Sequence, residues 1–337
     1  MKLLRTPDEQ FKKLHDYPFA PNYLELGDPD GSATTIRMHY LDEGPRDGIP
    51  VLLLHGEPMW SYLYRKMIPG LVAAGYRVIA PDQIGFGKSD KPSEKSDYSV
   101  ARHVSWIREC IQKLELQNAI FFGQDWGSLI GLTAVLHEES RFQAIVTANA
   151  MLPDPAHFDR FLEAKKGSPD ETAFARWQAW IADKDSINIG QGLKVGFNIT
   201  DGLRLDLNAD EVLAYNAPYP DGSYQAGVLE FPALANLNKE AIELFDAAWR
   251  VLEKWQKPFI TAYGKADPIL GFFDQVFQKY VPGAKGQPHK EFPDGGHFIQ
   301  EQQPEELVDS IVAASALGPT RITLVTGGSA TDTVAVI

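Results

Sequence analysis

The chain has 337 residues, of which 44% are hydrophobic, so it can bury a substantial core and is longer than one small domain requires. Its 32 basic and 45 acidic residues give a formal net charge of −13, which argues against nucleic acid or an anionic membrane surface as a partner. A neutral or weakly polar small ligand suits this charge better than a polyanion does.

The single cysteine, Cys110, lies in a helical pattern and is expected to be a buried small hydrophobic residue, since one cysteine cannot form an internal disulfide. A reducing compartment is therefore compatible with the sequence. The first 21 residues mix charged and aromatic side chains, and no apolar run reaches the length of a membrane span. We therefore expect a soluble, cytoplasmic protein.

Hydrophobic periodicity predicts a sheet whose strands alternate with helices. Residues 22–26 and 35–40 predict two antiparallel strands around a turn at 28–31. Short apolar runs predict buried strands at 51–54 and 77–81, and further strands are predicted at 119–122, 142–147, 258–264 and around 289–292. Helical patterns lie between or after them at 61–74, 100–114, from residue 126 and at 304–316. This alternation predicts an α/β fold with a mostly parallel, doubly wound sheet.

The periodic pattern lapses over residues 154–230, where tryptophans, tyrosines and polar turns dominate. We interpret this segment as a helical cap inserted over the C-terminal edge of the sheet. The predicted organisation is a core domain of residues 1–153 and 231–317, a cap domain of residues 154–230, and a C-terminal tail, 318–337, of unknown structure.

Residues 85–89 end in Gly87-Lys88-Ser89. The same three residue types end the phosphate-binding loop of nucleotide-binding proteins. That motif needs a glycine five residues before Gly87, where this chain has Asp82. We therefore interpret the segment as a tight turn after a strand.

Residues 121–128 read Phe-Phe-Gly-Gln-Asp-Trp-Gly-Ser and lie between a predicted strand and a predicted helix. The glycine spacing is that of a nucleophile elbow, with an acid at the centre where serine is commoner. Asp125 is therefore the candidate nucleophile, on a strained turn at the C-terminal edge of the sheet.

Two partners for such a nucleophile follow in the chain order of α/β hydrolases, an acid and then a histidine. Asp267 follows the predicted strand at 258–264, and His297 follows the last predicted strand after two glycines. Alone, Asp267 could cap a helix, and His297 could be a hydrogen-bonded turn residue. The order of Asp125, Asp267 and His297 favours a catalytic triad.

A carboxylate nucleophile suits attack on saturated carbon, which forms an ester that a histidine-activated water then hydrolyses. The backbone N–H groups of Glu57 and Trp126 are the expected oxyanion donors. An alkoxide leaving group needs an acid such as tyrosine, whereas a halide needs N–H donors, and an indole is a donor only. Trp177 shares a helical face with Phe174 and Trp180, so packing and ligand contact are both open to it.

With these motifs the sequence resembles the haloalkane dehalogenases of the α/β-hydrolase superfamily, in particular the branch with His-Gly-Glu-Pro after the first core strand. The resemblance covers roughly residues 10–316. Its motifs are His55-Gly56-Glu57-Pro58 and the residues up to Lys66, Ile79-Ala80-Pro81-Asp82 with residues 85–92, Gln124-Asp125-Trp126-Gly127, and Asp294-Gly295-Gly296-His297-Phe298.

The resemblance implies the α/β-hydrolase fold with a helical cap, and hydrolysis of small haloalkanes by water to an alcohol, a halide ion and a proton, without cofactor or metal. It makes Asp125 the nucleophile, His297 the base and Asp267 the acid that orients His297. Trp126 and a cap tryptophan would bind the halide; Trp177 matches best and Trp180 is the alternative. Phe174 is the expected pocket wall. We expect a monomer with no nucleic-acid or membrane partner.

Two other functions stay open. An epoxide hydrolase would use a cap tyrosine, Tyr215, Tyr219 or Tyr224, as acid, although that group usually carries an aromatic residue at the position of Glu57. A non-catalytic ligand-binding protein of the same fold usually lacks part of the triad, whereas all three members are present here.

Overall fold

A computed structural model of the chain describes residues 1–12 and 14–317. Within them the strands are β1 Leu3–Leu4, β2 Asn22–Gly27, β3 Thr35–Glu43, β4 Pro50–Leu54, β5 Arg77–Pro81, β6 Lys91–Pro92, β7 Ala119–Gly123, β8 Phe142–Thr147, β9 Phe259–Gly264 and β10 Lys290–Phe292. Eight of them form one sheet in the order β10-β9-β8-β7-β4-β5-β3-β2, and β1 pairs with β6.

The sheet is mostly parallel, as predicted. Only the pairs β2–β3 and β3–β5 are antiparallel within the eight described strands, and every other neighbouring pair is parallel. Every residue of β4, β7, β8 and β9 is buried. Helices cover both faces of these strands, which is why each reads as a continuous apolar run.

The α-helices of the described residues are α1 Ile68–Ala73, α2 Val100–Lys113, α3 Trp126–His137, α4 Phe158–Lys165, α5 Ala173–Ala182, α6 Ile189–Lys194, α7 Ala209–Asn216, α8 Ala226–Leu234, α9 Lys239–Leu252, α10 Asp274–Tyr280, α11 Ile299–Gln302 and α12 Pro304–Ala316. Short 3₁₀ helices join them at Asp8–Phe11, Ser61–Tyr64, Lys95–Asp97, Glu139–Arg141, Pro155–His157, Gly196–Asn198, Asp201–Leu203, Gly222–Gln225 and Pro282–Ala284. No helix in this part of the chain is long and apolar enough to cross a membrane.

The single helix predicted at 61–74 is wrong, because the segment forms a 3₁₀ turn at Ser61–Tyr64 and then the short α1. Pro69 has no N–H to donate to the carbonyl of Arg65, so one α-helix cannot run through this point. Pro69 instead lies in the first turn of α1, where a missing N–H costs nothing.

Helices α4 to α8 lie between β8 and β9 and coincide with the segment interpreted as a cap. Helix α8 continues to Leu234, so the predicted boundary at residue 230 falls inside a helix. The division into core and cap domains stays a prediction. The predicted tail at 318–337 lies outside the described residues.

Candidate active site

Asp125 lies on a sharp turn between β7 and α3, with φ 51° and ψ −134°. A positive φ is unfavourable for a residue with a side chain, and such strain concentrates at functional sites. The surroundings allow the turn because two neighbours are glycines. A Cβ at Gly56 would lie 2.3 Å from Asp125 Oδ1, and one at Gly127 would lie 2.0 Å from the carbonyl oxygen of Leu54. The predicted strained turn is present.

The structure brings Asp125, His297 and Asp267 together from three separate loops. His297 Nε2 lies 3.5 Å from Asp125 Oδ2, and His297 Nδ1 lies 2.9 Å from Asp267 Oδ2. The loops follow β7, β9 and β10, and in a parallel sheet the carboxyl ends of strands meet at one edge. The predicted base thus lies between the predicted nucleophile and the predicted orienting acid.

His297 is only 3% exposed, and its charge depends on the two carboxylates beside it. Burial disfavours the imidazolium, but the opposing charges and hydrogen bonds of Asp267 and Asp125 prevail and raise the pKa of His297 to about 10. His297 is therefore a cation at neutral pH while Asp125 carries its charge. Neutralising Asp125 would remove part of the support for that cation.

The sequence left two contacts open for Asp267, a cap of the following turn and a hydrogen bond to His297, and the structure shows both. Besides His297, its carboxylate accepts the N–H groups of Ile269 at 2.8 Å and Leu270 at 3.2 Å, which caps the turn after β9. The cap interaction fixes the carboxylate and leaves it facing His297. The Asp267 side chain thus stabilises the turn after β9 and also hydrogen-bonds to His297.

Two residues that the sequence analysis did not select hold this arrangement together. The Asn149 side chain donates to Asp267 Oδ2 at 2.8 Å, and the backbone carbonyl oxygen of Asn149 accepts the N–H of Asp125 at 3.0 Å. Gln124 Nε2 donates to the carbonyl oxygen of His297 at 3.0 Å. The available signal for Asn149 was a polar residue directly after a buried strand at the active edge of the sheet.

The backbone N–H of Glu57 donates to Asp125 Oδ1 at 2.9 Å, the position expected of an oxyanion donor. The same role for the N–H of Trp126 stays a prediction. Burial, with the Asp125 carboxylate nearby, raises the pKa of the Glu57 side chain well above its ordinary value. Both causes favour the uncharged form of the Glu57 carboxyl group over a second anion beside Asp125.

A small chamber of about 20 Å³ lies against Asp125, enough for one water-sized group. Six of the seven predicted site residues line it, and the seventh, Asp267, lies behind His297. The six are Glu57, Asp125, Trp126, Phe174, Trp177 and His297.

Trp177 lines this chamber, whereas Trp180 stacks behind it with ring centroids 5.5 Å apart. Phe197 packs edge-on against Trp177 at 4.8 Å and holds the indole in place. No acceptor in the described residues takes the indole N–H of Trp126 or Trp177, whereas the indole of Trp249 donates to carbonyl oxygens. Both chamber indoles keep a donor free for a ligand.

The tyrosines that an epoxide hydrolase would need lie elsewhere. Tyr215 donates its hydroxyl to Glu301, and neither Tyr219 nor Tyr224 belongs to the described lining of the chamber. The chamber therefore offers indole donors, which suit an anion, and no tyrosine hydroxyl for an alkoxide.

A larger cavity of about 560 Å³ adjoins the chamber and shares Asp125, Trp126 and Phe174 with it. Its walls are mainly apolar and include Leu129, Met151 and Phe272, with the charged Lys165 and the exposed Glu171 also in the lining. This apolar cleft leads from Asp125 along residues of α3, α4, α5 and α9.

Comparison with known proteins identifies the relatives of this chain. A family model described as the alpha/beta hydrolase fold matches residues 49–198. The chain is 46% identical over 314 residues to a haloalkane dehalogenase from Psychrobacter cryohalolentis, covering 93% of this chain and 97% of that one. It is 42% identical over 317 residues to a haloalkane dehalogenase from Mycobacterium marinum, covering 93% and 99%.

Solved structures are similar over the same extent. The tetrameric haloalkane dehalogenase DpaA from Paraglaciecola agarilytica superimposes with a TM-score of 0.78 at 32% identity, covering 93% of this chain and 98% of that one. The haloalkane dehalogenase DbeA from Bradyrhizobium elkani, at 22% identity and a TM-score of 0.68, covers 88% and 98% and shares the fold.

Proposed function

The chain belongs to the haloalkane dehalogenases of the α/β-hydrolase superfamily, and on that premise we propose how its own residues hydrolyse a carbon–halogen bond. The observation that carries the proposal is Asp125, held by the Glu57 N–H and beside His297, at the wall of a chamber lined by two unengaged indoles. The reaction proceeds in two steps through an ester on Asp125.

In the first step an oxygen of the Asp125 carboxylate attacks the carbon that carries the halogen. The new C–O bond forms as the carbon–halogen bond breaks, and the halide leaves with the bonding electron pair. The indole N–H groups of Trp126 and Trp177 donate to the departing anion in a chamber with little water, where such donors stabilise charge most effectively. No proton is needed at this step.

In the second step His297 takes a proton from water, and the resulting hydroxide attacks the ester carbonyl carbon of Asp125. The oxyanion accepts from the backbone N–H groups of Glu57 and Trp126. The tetrahedral intermediate expels the alcohol, which takes the proton back from His297. The regenerated Asp125 then loses one proton to solvent, so the products are an alcohol, a halide ion and a proton.

The two steps should differ in their pH dependence. Ester formation removes the charge of Asp125, so the pKa of His297 in the ester falls below the value of about 10 that both carboxylates support. The hydrolysis rate is therefore expected to rise with pH as His297 loses its proton and to level off below about pH 10, while the titration of His297 leaves alkylation unaffected. Single-turnover kinetics resolve both steps. Hydrolysis that slows as the pH rises would contradict a neutral His297 base.

Trp177→Phe is expected to weaken bromide binding by about 10- to 100-fold, because a hydrogen bond to a charged group contributes ~1.5–3 kcal/mol. Trp180→Phe is the matched control and should change the affinity by less than about threefold, since Trp180 does not line the chamber. Quenching of the remaining indole fluorescence during a bromide titration measures both. A larger loss for Trp180→Phe would assign the second donor to Trp180.

The activity itself is tested by measuring halide release from 1,2-dibromoethane beside diol formation from a simple epoxide. We expect bromide and 2-bromoethanol in equal amounts, and no diol. Diol without halide would identify an epoxide hydrolase. Neither product, from folded protein, would favour a ligand-binding protein.

We further propose that the chamber takes the halogen and the apolar cleft takes the rest of an extended substrate. Burial of each further CH₂ group contributes ~0.8 kcal/mol, so two extra groups already correspond to about a tenfold gain in kcat/KM. We therefore expect kcat/KM for 1-bromohexane to exceed that for 1-bromobutane by about tenfold. A higher value for the shorter chain, measured by halide release, would place the whole substrate near the chamber.

The predicted monomer does not agree with the tetramer named for the Paraglaciecola relative. Light scattering on the purified chain distinguishes a 37.4 kDa monomer from an assembly four times heavier. The cytoplasmic location also stays a prediction, which fractionation of the producing cells tests.

A further inference from the structure

One residue of the predicted cap touches the main chain of His297 directly. The N–H of His297 donates to the carbonyl oxygen of Gly202 at 2.8 Å, and Gly202 lies in the 3₁₀ turn Asp201–Leu203. On the other side, Gln124 Nε2 donates to the carbonyl oxygen of His297 at 3.0 Å. The main chain of His297 is therefore held by one residue of the nucleophile turn and by one residue of the cap.

The position of Gly202 has no room for a side chain. A Cβ there would lie 2.5 Å from Pro268 Cδ and 2.6 Å from the carbonyl oxygen of Ala266, the two neighbours of Asp267. A Cβ at Gly296, next to His297, would lie 2.6 Å from the carbonyl oxygen of Gly202. Gly202 is thus packed between the loop that carries Asp267 and the loop that carries His297.

Asp125 is held independently of this contact. Its N–H donates to the carbonyl oxygen of Asn149 at 3.0 Å, and its Oδ1 accepts the N–H of Glu57 at 2.9 Å. None of these three residues is among the nearest neighbours of the space beside Gly202. A shift of the cap at Gly202 therefore moves His297 relative to Asp125 more than it moves Asp125 itself.

We propose that Gly202 is a positioning residue, whose carbonyl oxygen places the His297 ring for ester hydrolysis and has little effect on alkylation. The inference rests on the proposed two-step reaction. Displacement of a catalytic group by ~1 Å can cost about 100-fold in rate, and His297 Nε2 is already 3.5 Å from Asp125 Oδ2. The cap thereby supplies part of the alignment of the base.

The test is Gly202→Ala, examined with 1,2-dibromoethane by rapid quench and by mass spectrometry of the intact protein. We expect the hydrolysis rate to fall by about 10- to 100-fold and the alkylation rate by less than about threefold. A burst of one bromide per enzyme and an accumulated alkyl adduct would follow. A protein that had merely lost stability would instead show a smaller burst and no adduct.

Gly167→Ala is the matched control, because it is also in the predicted cap and its Cβ would meet only a carbonyl oxygen, that of Ala164, at 3.3 Å, with further atoms at ordinary contact. It should behave as wild type. Gly296→Ala presses on the same hydrogen bond from the other side, so it should also accumulate the adduct. If Gly202→Ala does not fold, the same measurements on Gly296→Ala test the role of the hydrogen bond between Gly202 and His297.

Wild-type hydrolysis in folded Gly202→Ala, or an equal fall in both steps with a full burst, would overturn the role of Gly202. Halide release that is absent already in the wild type would overturn the proposed function instead. The two failures are therefore distinguishable in one set of experiments.

Discussion

Replacement of His297 by phenylalanine is expected to lower steady-state turnover by about 10²- to 10⁴-fold while the first step still proceeds, because only ester hydrolysis needs a general base. The phenylalanine ring approximates the volume of the imidazole, so no large cavity forms. Asp267 keeps the N–H donors of Ile269 and Leu270 and the side chain of Asn149, which offset part of the loss of its charged partner.

Mass spectrometry of His297→Phe after incubation with 1,2-dibromoethane should show one alkyl group, and peptide mapping should place it on Asp125. His15→Phe replaces a histidine whose side chain is 36% exposed at the surface, and it should turn over as wild type without an adduct. An inactive, folded His297→Phe without adduct would show that His297 is required before the ester forms.

The positions and burial of the central strands could be predicted from the sequence, because parallel strands that are covered on both faces are continuously apolar. The nucleophile elbow could also be predicted, because its signal is a short local motif. Asp125 has a positive φ, and there is no space for a side chain at Gly56 or Gly127. Few residues other than glycine fit these two positions, so the glycine spacing in the sequence indicates the turn. Asp267 and His297 could be selected because each follows a predicted strand at the same edge.

The contacts that complete the site could not be predicted from the sequence, since they join residues far apart in the chain. Asn149 bonds to Asp267, and Gly202 accepts from His297, only because the fold brings three loops to one edge of the sheet. A glycine in a turn-rich segment is unremarkable in sequence, and only the tertiary packing shows why Gly202 has no room for a side chain.

The choice between Trp177 and Trp180 also depends on tertiary structure. The two lie three residues apart on α5 and share a face of the helix, so periodicity treats them alike. Phe197 packs edge-on against both rings, and the position of the chamber distinguishes them in the fold, because Trp177 lines it and Trp180 does not. Helix spacing predicts the face, and the lining of the chamber supports Trp177 as the proposed second halide donor.

Asp125→Ala is expected to lower halide release by at least about 10⁴-fold and to leave no adduct, because the nucleophile of the first step is gone. Glu57 also lines the chamber, but burial favours its neutral form, and a neutral carboxyl group is a poor nucleophile. Loss of the Asp125 charge removes one cause of the raised pKa of Glu57, and burial, the larger cause, remains.

The same substitution should strengthen halide binding, which separates loss of chemistry from loss of the site. Two unit charges ~6 Å apart repel by ~3 kcal/mol at an effective dielectric constant of ~20. After screening by salt and solvent, bromide affinity is expected to rise by about tenfold or more in Asp125→Ala. Asp47→Ala removes an exposed carboxylate and should leave both turnover and affinity unchanged. Bromide that binds Asp125→Ala more weakly than wild type would mean that the anion does not lie beside Asp125, and the chamber of Trp126 and Trp177 would then not be the halide site.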